Sequence, residues 1–327
     1  MIEVSNVTRE FRVFRREKGF ASSIKSILNR NYEVKKAVNN INFHIQEGEL
    51  VGYIGSNGAG KSTTIKMLAG ILVPTSGIVR VNGKEPHRNR KENAMNIGVV
   101  FGQRSQLYWN LPMEETFDLF AKIYKINPTV FRNNVDYYVD LLEMEEFIRV
   151  PVRQLSLGQR MRAELAVALL HEPKVLYLDE PTIGLDVAVK AKIRTFIRQI
   201  NKSKKTTVIL TTHDMKDIEE VCDRIITINK GEVLFDGTVA GFKDNFNPGH
   251  VLTVDLDDQR NKITDGRLKL LVDEGLRKSF LIDKNELSVA HAISIISNSY
   301  EIKDMQLKEP DIEEAVKFLY AAAAREK

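Results

Sequence analysis

The sequence predicts an α/β fold with a parallel sheet at its centre. Two apolar runs rich in strand-forming residues, residues 175–178 (VLYL) and 207–212 (TVILTT), have the composition of strands that are buried on both faces. Helix-like segments such as residues 156–170 separate the apolar runs, and this alternation is typical of α/β proteins. A further short strand, residues 49–54, leads directly into a glycine-rich turn and a helix-like segment at residues 62–68.

Length and composition indicate an ordinary globular chain of about two domains. The chain has 327 residues, of which 43% are apolar and 28% are charged. It contains no run of about 18 apolar residues that would span a bilayer, and its start lacks the apolar core of a secretion signal. The single cysteine, Cys222, excludes an internal disulfide and fits a reducing compartment. A net charge of +4 is too small to predict nucleic-acid binding.

One segment near the start is strongly basic. Residues 9–36 contain nine Lys or Arg side chains against three Glu, and we treat residues 12–36 as a basic insertion. Such a segment could face anionic lipid or an acidic partner. A solvated surface segment without a partner explains it equally well, and both interpretations stay open.

A change in composition at residues 237–249 predicts a domain boundary. This stretch is rich in glycine and asparagine and contains Pro248. We therefore expect one domain over residues 1–238 and a smaller one over residues 246–327. The smaller part mixes alternating strand-like segments with helix-like ones, so we expect an accessory α/β domain.

Residues 55–62 (GSNGAGKS) predict a triphosphate-binding loop. Glycines at this spacing let successive N–H groups converge on phosphate oxygens at the start of a helix. Lys61 would reach the terminal phosphates, and the Ser62 hydroxyl would ligate Mg²⁺. The expected cofactors are therefore ATP and Mg²⁺. The expected nucleotide contacts are Gly55, Ser56, Asn57, Gly58, Ala59, Gly60, Lys61, Ser62 and Thr63.

An acidic pair follows the strand at residues 175–178. Adjacent side chains at a strand end point to opposite faces, so Asp179 and Glu180 would have different tasks. We expect Asp179 to support Mg²⁺ and Glu180 to act as the general base for water. Taken alone, such a pair could simply cap a helix, but the sequence PTIGLD that follows favours the catalytic interpretation.

His213 follows the strand at residues 207–212. A lone histidine in this position is more often a packing or capping residue than a catalytic one. The carboxyl ends of parallel strands meet at one edge of a sheet, so His213 would lie near Gly55 and Asp179. We therefore expect His213 to belong to the same site.

These motifs, in this order, resemble those of the ATP-binding subunits of ABC transporters, and the resemblance covers residues 1–238. It implies a P-loop NTPase fold of the ABC type, with a parallel-sheet core, an antiparallel β subdomain and a helical subdomain at about residues 104–160. It also implies further site residues. They are Gln103 of the Q-loop (catalysis and Mg²⁺), Ser156, Gly158 and Gln159 of the signature LSLGQ, Asp186 of the D-loop, and His213 as the switch histidine that contacts the γ-phosphate.

Two features depart from the usual family pattern. Leu157 replaces the first glycine of the signature, which is usually LSGGQ. The way in which the backbone approaches the nucleotide at this position would therefore change. The aromatic residue that stacks on adenine is Phe11 by its spacing from the first strand, but the basic insertion makes Tyr32 an alternative.

The family resemblance also implies how the chain works. The signature of one subunit covers the nucleotide of the other, so a two-fold dimer of this chain is expected. The membrane permease would be a separate protein, with this chain peripheral on the cytoplasmic face of the membrane. The whole pattern resembles ATPases of ABC-2-type exporters. A soluble ABC ATPase acting on ribosomes or nucleic acid is the alternative, although we expect no nucleic-acid partner.

Overall fold

The computed structural model describes residues 1–14, 32–102, 104–246, 249–257, 265–283, 286–308 and 312–325. Most of the basic insertion (residues 15–31), Gln103 and Pro310 lie outside the described residues. The chain divides into two compact units, Met1–Val239 and Ala240–Lys327.

The first unit contains two sheets and a set of helices. Its strands are β1 (Ile2–Phe14), β2 (Tyr32–Ile45), β3 (Leu50–Gly55), β4 (Ser76–Val81), β5 (Ile97–Phe101), β6 (Val175–Asp179), β7 (Thr207–Thr211), β8 (Arg224–Asn229) and β9 (Glu232–Thr238). Its helices are α1 (Lys61–Leu68), α2 (Arg90–Ala94), α3 (Met113–Tyr124), α4 (Pro128–Leu141), α5 (Leu157–Leu169), α6 (Val187–Lys204) and α7 (Met215–Val221), with a 3₁₀ turn at Val152–Gln154.

A six-stranded sheet in the order β5-β6-β7-β3-β8-β9 forms the centre of the first unit. Its first five strands are parallel, and β9 runs antiparallel to β8. Residues 175–178 of β6 and every residue of β7 are buried, as their apolar runs predicted, and β3 is buried along its whole length as well. Phe101, Asp179 and Thr211 are register partners at the ends of β5, β6 and β7. The parallel-sheet prediction is therefore confirmed, and the strand ends meet at one edge.

A three-stranded antiparallel sheet, in the order β2-β1-β4, lies beside the phosphate loop. Its apolar side chains Ile2, Val4 and Ile41 share a buried cluster with the central sheet. The sequence of residues 2–11 and 37–45 predicts two short strands, separated by the basic stretch. In the structure β1 instead pairs with β2 as far as Phe14 and Tyr32. The extension lies at the surface, where Arg12 and Glu33 are exposed.

The helical region between β5 and β6 is joined to the central sheet through His171. The imidazole ring stacks on Tyr124 of α3 at 3.8 Å between ring centroids. His171 Nε2 lies 3.0 Å from the carbonyl oxygen of Ile97 at the start of β5, so it carries the proton. Burial lowers the pKa of His171 to about 4. Protonation would create an Nδ1–H group where the described residues supply no partner.

The second unit is a small antiparallel sheet with helices. Helix α8 (Val239–Phe246) spans the division between the units. The strands β10 (His250–Leu256), β11 (Leu268–Glu274), β12 (Arg277–Ile282) and β13 (Ile302–Lys308) pair in the order β11-β12-β10-β13. The helices are α9 (Val289–Ser299) and α10 (Ile312–Arg325). A buried cluster that includes Leu252, Phe280 and Ile296 forms its core. Across the described parts of both units, every helix is too short or too polar to cross a membrane.

The low pKa of His171 predicts a pH dependence of stability. An unfolded histidine has a pKa of about 6.5, so below that pH the unfolded chain binds a proton that the folded chain rejects until about pH 4. Stability is therefore lost as pH falls, by about 2 kcal/mol between pH 7.5 and pH 5 from this group alone. The free energy of unfolding can be measured by chemical denaturation, with the fluorescence of Trp109, the single tryptophan, as the signal.

The matched variant is His171→Phe, which keeps an aromatic ring against Tyr124 but does not titrate. Its free energy of unfolding should change less over this pH interval than that of the wild type. Equal slopes in the two proteins would contradict the assignment.

Candidate functional site

The loop between β3 and α1 is curled around its own backbone. Ser56 O accepts a hydrogen bond from Ala59 N at 3.0 Å, and Gly60 O accepts one from Thr64 N at 2.9 Å. Gly60 has φ of 111°, and a Cβ there would lie 2.4 Å from Ala37 O of β2. Only glycine fits this position, because both the backbone conformation and the neighbouring carbonyl exclude a side chain.

Lys61 places a buried cation inside this curl. The residue is only 6% exposed, and Nζ donates to Gly55 O at 2.6 Å and to Ser56 O at 3.2 Å. Burial lowers the pKa of Lys61, while the charges of Glu180 and Asp179 act in the opposite direction. The loop therefore presents positive charge and a helix start, which is the arrangement that binds phosphate.

A hairpin turn braces the loop from the side. Gly231 N, in the turn between β8 and β9, donates to Ala59 O at 3.0 Å, and Gly231 O accepts from Asn39 N of β2 at 2.8 Å. The Ser56 hydroxyl donates to Asn229 Oδ1 at 3.3 Å. None of the sequence motifs indicates that this turn belongs to the site. The sequence Asn229-Lys-Gly231 indicates the turn itself, since positive φ at Lys230 and Gly231 is typical of a tight hairpin, but it does not indicate the contact with the loop.

The acidic pair lies at the end of β6, and its backbone is held tightly. Thr211 Oγ1 donates to Asp179 Oδ1 at 2.5 Å, and Glu180 N donates to Thr211 O at 2.9 Å. Glu180 has φ of 59°, which is unusual for a residue with a side chain. Gly102 N donates to Asp179 O at 2.7 Å, and a Cβ at Gly102 would lie 2.2 Å from Glu180 O. The turn before Gln103 is thus packed against the acidic pair.

Glu180 and His213 meet directly. His213 Nε2 lies 2.6 Å from Glu180 Oε1, in an ion pair if the ring is protonated. The Glu180 side chain is largely buried, whereas His213 is more exposed. Both residues follow neighbouring parallel strands, so the shared sheet edge brings them together.

The donor set at this edge suits a magnesium ion. Ser62 is exposed at the first turn of α1, and Asp179 is partly buried. The charge of Asp179 raises the pKa of Lys61, so the carboxylate lies within electrostatic range of the loop. Mg²⁺ prefers oxygen ligands and usually takes one or two from the protein and others from substrate phosphates. Hydroxyl and carboxylate oxygens fit that preference. Within the described ranges, no group of three or more His, Cys, Asp or Glu side chains could hold a metal ion.

The signature segment forms a capped helix start at α5. Ser156 Oγ accepts from Gln159 N at 3.2 Å, and Gln159 Oε1 accepts from Ser156 N at 2.9 Å, which is a capping box. Leu157, which replaces the usual glycine, is 43% exposed. A Cβ at Gly158 would lie 3.2 Å from the Val189 side chain of α6, so the two helix starts are packed together.

Asp186 occupies the start of the neighbouring helix α6. Its Oδ1 accepts from Val189 N at 2.9 Å, which caps the helix. The structure therefore brings Ser156, Gly158, Gln159 and Asp186 to adjoining helix starts. The hydrogen bonds of Ser156, Gln159 and Asp186 described here close their own helices.

Two aromatic rings remain candidates for stacking on adenine. The Arg9 guanidinium lies over the Phe11 ring at 4.8 Å from its centroid. The Arg12 guanidinium lies over the Tyr32 ring at 5.8 Å. Each ring thus has an arginine on one face, and the choice between Phe11 and Tyr32 stays a prediction.

Comparisons with known proteins agree with this geometry. The family described as "ABC transporter" matches residues 38–183. The chain is 33% identical over 207 residues to the ABC transporter ATP-binding protein NatA of Bacillus subtilis (strain 168), which covers 63% of this chain and 84% of NatA. It is 34% identical over 207 residues to the bacitracin transport ATP-binding protein BcrA of Bacillus licheniformis, covering 63% of this chain and 66% of BcrA.

Solved structures give the same result. The dimeric structure of a post-hydrolysis state of the ATP-binding cassette MJ0796, bound to ADP and Pi, has a TM-score of 0.61 and 27% identity to this chain. It covers 73% of this chain and 99% of that one. Fold and site together define an ATPase of the ATP-binding cassette class, as the motifs predicted. The chain belongs to the family of ABC transporter ATP-binding proteins, and its function is that of the ATP-binding, ATP-hydrolysing subunit of a transporter.

The loop geometry predicts different outcomes for two glycines. Gly58 has φ of 79°, and the space where a Cβ would lie is open. Gly58→Ala therefore carries only the cost of holding alanine in a left-handed backbone conformation, about 1–2 kcal/mol. Gly60→Ala adds the contact with Ala37 O. Without nucleotide the alanine loop relaxes out of this conformation, and ATP binding has to restore it at that cost. Equilibrium titration with Mg-ATP should therefore show roughly tenfold weaker binding for Gly58→Ala and a larger loss for Gly60→Ala. Equal affinities of the two variants would contradict this loop geometry.

Proposed function

We propose that this chain powers an ABC-2-type exporter, as a homodimer bound to separate membrane permease subunits. The observation that carries its motor role is the Glu180–His213 contact of 2.6 Å, at the same sheet edge as the buried Lys61. The names of relatives support the transport role, since BcrA is a bacitracin transport protein. We assign the ATPase to residues 1–238 and an accessory role to residues 246–327.

In this proposal the loop residues bind the triphosphate and the acidic pair serves hydrolysis. Gly55, Ser56, Asn57, Gly58, Ala59, Gly60 and Thr63 cradle the phosphates through the backbone and the start of α1. Lys61 turns its ammonium from the loop carbonyls to the terminal phosphates. Glu180 accepts the proton of the attacking water, and His213 holds Glu180 and contacts the γ-phosphate.

Ser62, Asp179 and Gln103 are the residues that would hold Mg²⁺. The ion supplies positive charge that offsets the negative charge of the phosphates. Thr211 keeps the Asp179 carboxylate in place through its hydrogen bond. Gln103 follows the turn at Gly102, which packs on the acidic pair.

A second copy of the chain completes each site in this proposal. Ser156, Gly158, Gln159 and Asp186 lie at the adjoining starts of α5 and α6 and would cover the nucleotide of the partner. The dimeric MJ0796 structures support this arrangement. Closure depends on contacts with the γ-phosphate, so hydrolysis releases it.

The permease contact would use the helical region. Tyr108 and Trp109 are about half exposed in the segment before α3, and such exposed aromatic side chains are typical of protein interfaces. The chain would then lie peripherally on the cytoplasmic face of the membrane. Action on ribosomes or nucleic acid has less support, because NatA and BcrA are named as transporter proteins.

Removing the loop cation tests the binding role. Lys61→Ala should weaken Mg-ATP binding and reduce turnover, because it removes the ammonium group that the loop holds at Gly55 O and Ser56 O. Lys66→Ala, on the same helix, is the control and should bind normally. Normal affinity and normal turnover of Lys61→Ala would refute the assignment.

Removing the general base tests the catalytic role. Glu180→Gln keeps size but cannot accept the proton, and turnover should fall by about 10²–10⁴-fold. Bound ATP should persist, so the variant should elute as a dimer with Mg-ATP in size-exclusion chromatography. Glu172→Gln, at a surface pair with Lys204, is the matched control. A Glu180→Gln variant with wild-type turnover, or one that stays monomeric with saturating Mg-ATP, would contradict the proposal.

A further inference from the structure

A fully buried carboxylate is hydrogen-bonded to residues close in sequence to Glu180 and His213. Asp217, on α7, is 0% exposed. Its Oδ2 accepts a hydrogen bond from Thr182 Oγ1 at 2.5 Å and another from Thr212 Oγ1 at 2.8 Å. Both threonines are themselves buried. One carboxylate oxygen therefore joins two separate loops.

The charge of Asp217 is compensated by Arg194 of α6. Arg194 is 5% exposed, and its Nε donates to Asp217 Oδ1 at 2.6 Å. Its remaining nitrogens contact Glu220 Oε2 at 3.2 Å and Asp214 Oδ2 at 3.4 Å. Arg194 thus binds one oxygen of the Asp217 carboxylate, Oδ1, while the two threonines bind the other, Oδ2.

The two loops that Asp217 joins are those that carry Glu180 and His213. Thr182 stands two residues after Glu180, and Thr212 immediately precedes His213. Thr212 Oγ1 also accepts a hydrogen bond from Asp214 N at 3.0 Å, just after the histidine. Glu180 has positive φ, so its loop needs outside contacts to stay in place.

We propose that Asp217 is a positioning residue for hydrolysis, which holds the Glu180 loop and the His213 loop at one separation through Thr182 and Thr212. The inference rests on the proposed roles of Glu180 and His213. Asp217 itself touches neither ATP nor the attacking water. Its contribution is to keep the base and the histidine at the observed contact distance while nucleotide binding is left to the phosphate loop.

A buried ion pair could instead serve stability alone, and buried pairs often add little net stability. The two roles differ in what a mutation changes. Loss of stability lowers the melting temperature and the amount of folded protein. Loss of positioning lowers kcat with KM for ATP nearly unchanged, because only the transition-state geometry suffers.

The experiment uses Thr182→Val, Thr212→Val and the double variant in the full chain, with steady-state ATPase kinetics and thermal unfolding. Valine keeps the shape of threonine and removes the hydroxyl. Each single variant should lower kcat by about 10- to 100-fold, with KM within about twofold. The kcat of the double variant should be about equal to that of the slower single variant, since either change alone already separates the loops.

Glu220→Gln is the control, because Glu220 contacts Arg194 from the solvent side and touches neither threonine. It should keep wild-type kcat. Asp217→Asn should lower kcat as the threonine variants do. Should it fail to fold because Arg194 loses its charge partner, the threonine variants still give the answer.

Glu180→Gln, measured alongside, separates the two proposals. If Glu180→Gln keeps wild-type turnover, the proposed role of Glu180 is wrong and the positioning role falls with it. If Glu180→Gln is inactive while both threonine variants keep wild-type kcat, the function stands and the positioning role is overturned. The positioning role would also be overturned if the loss of kcat in the double variant equalled the product of the losses in the two single variants.

Discussion

The burial of one ammonium group inside a curl of backbone is the constraint on which the rest of the site depends. Lys61 is surrounded by carbonyl oxygens of the loop it follows, and burial makes its charged form costly. The cost is offset by those carbonyls and by the charges of Glu180 and Asp179. A triphosphate would offer the same cation several anionic oxygens, so the loop is built to exchange weak partners for strong ones.

The parallel sheet makes that exchange useful by bringing separate segments to one edge. Register pairing aligns the ends of β5, β6 and β7, so Gly102, the acidic pair and Thr211 are neighbours although they are far apart in sequence. The loops that extend from these strands are then fixed by small contacts. Gly102 fits only without a side chain, and the Asp217 carboxylate ties Thr182 to Thr212.

Motifs with fixed spacing were predictable from the sequence, and contacts between distant segments were not. The loop at residues 55–62, the acidic pair and His213 each follow an apolar strand, so their positions at the sheet edge follow from the fold class. The contact of Gly231 with Ala59 and the hydrogen bond from Thr182 to Asp217 each join segments more than 30 residues apart, and no local pattern encodes such pairing. Strand β11 could not be predicted either, because its residues do not alternate between buried and exposed positions.

The most direct test of the account is an experimental structure of the full chain with Mg²⁺ and a non-cleavable ATP analogue. We expect the β- and γ-phosphates inside the curl of residues 55–62, with Lys61 Nζ bonded to phosphate oxygen and no longer to Gly55 O. A nucleotide bound elsewhere, with Lys61 still on the loop carbonyls, would contradict the central claim.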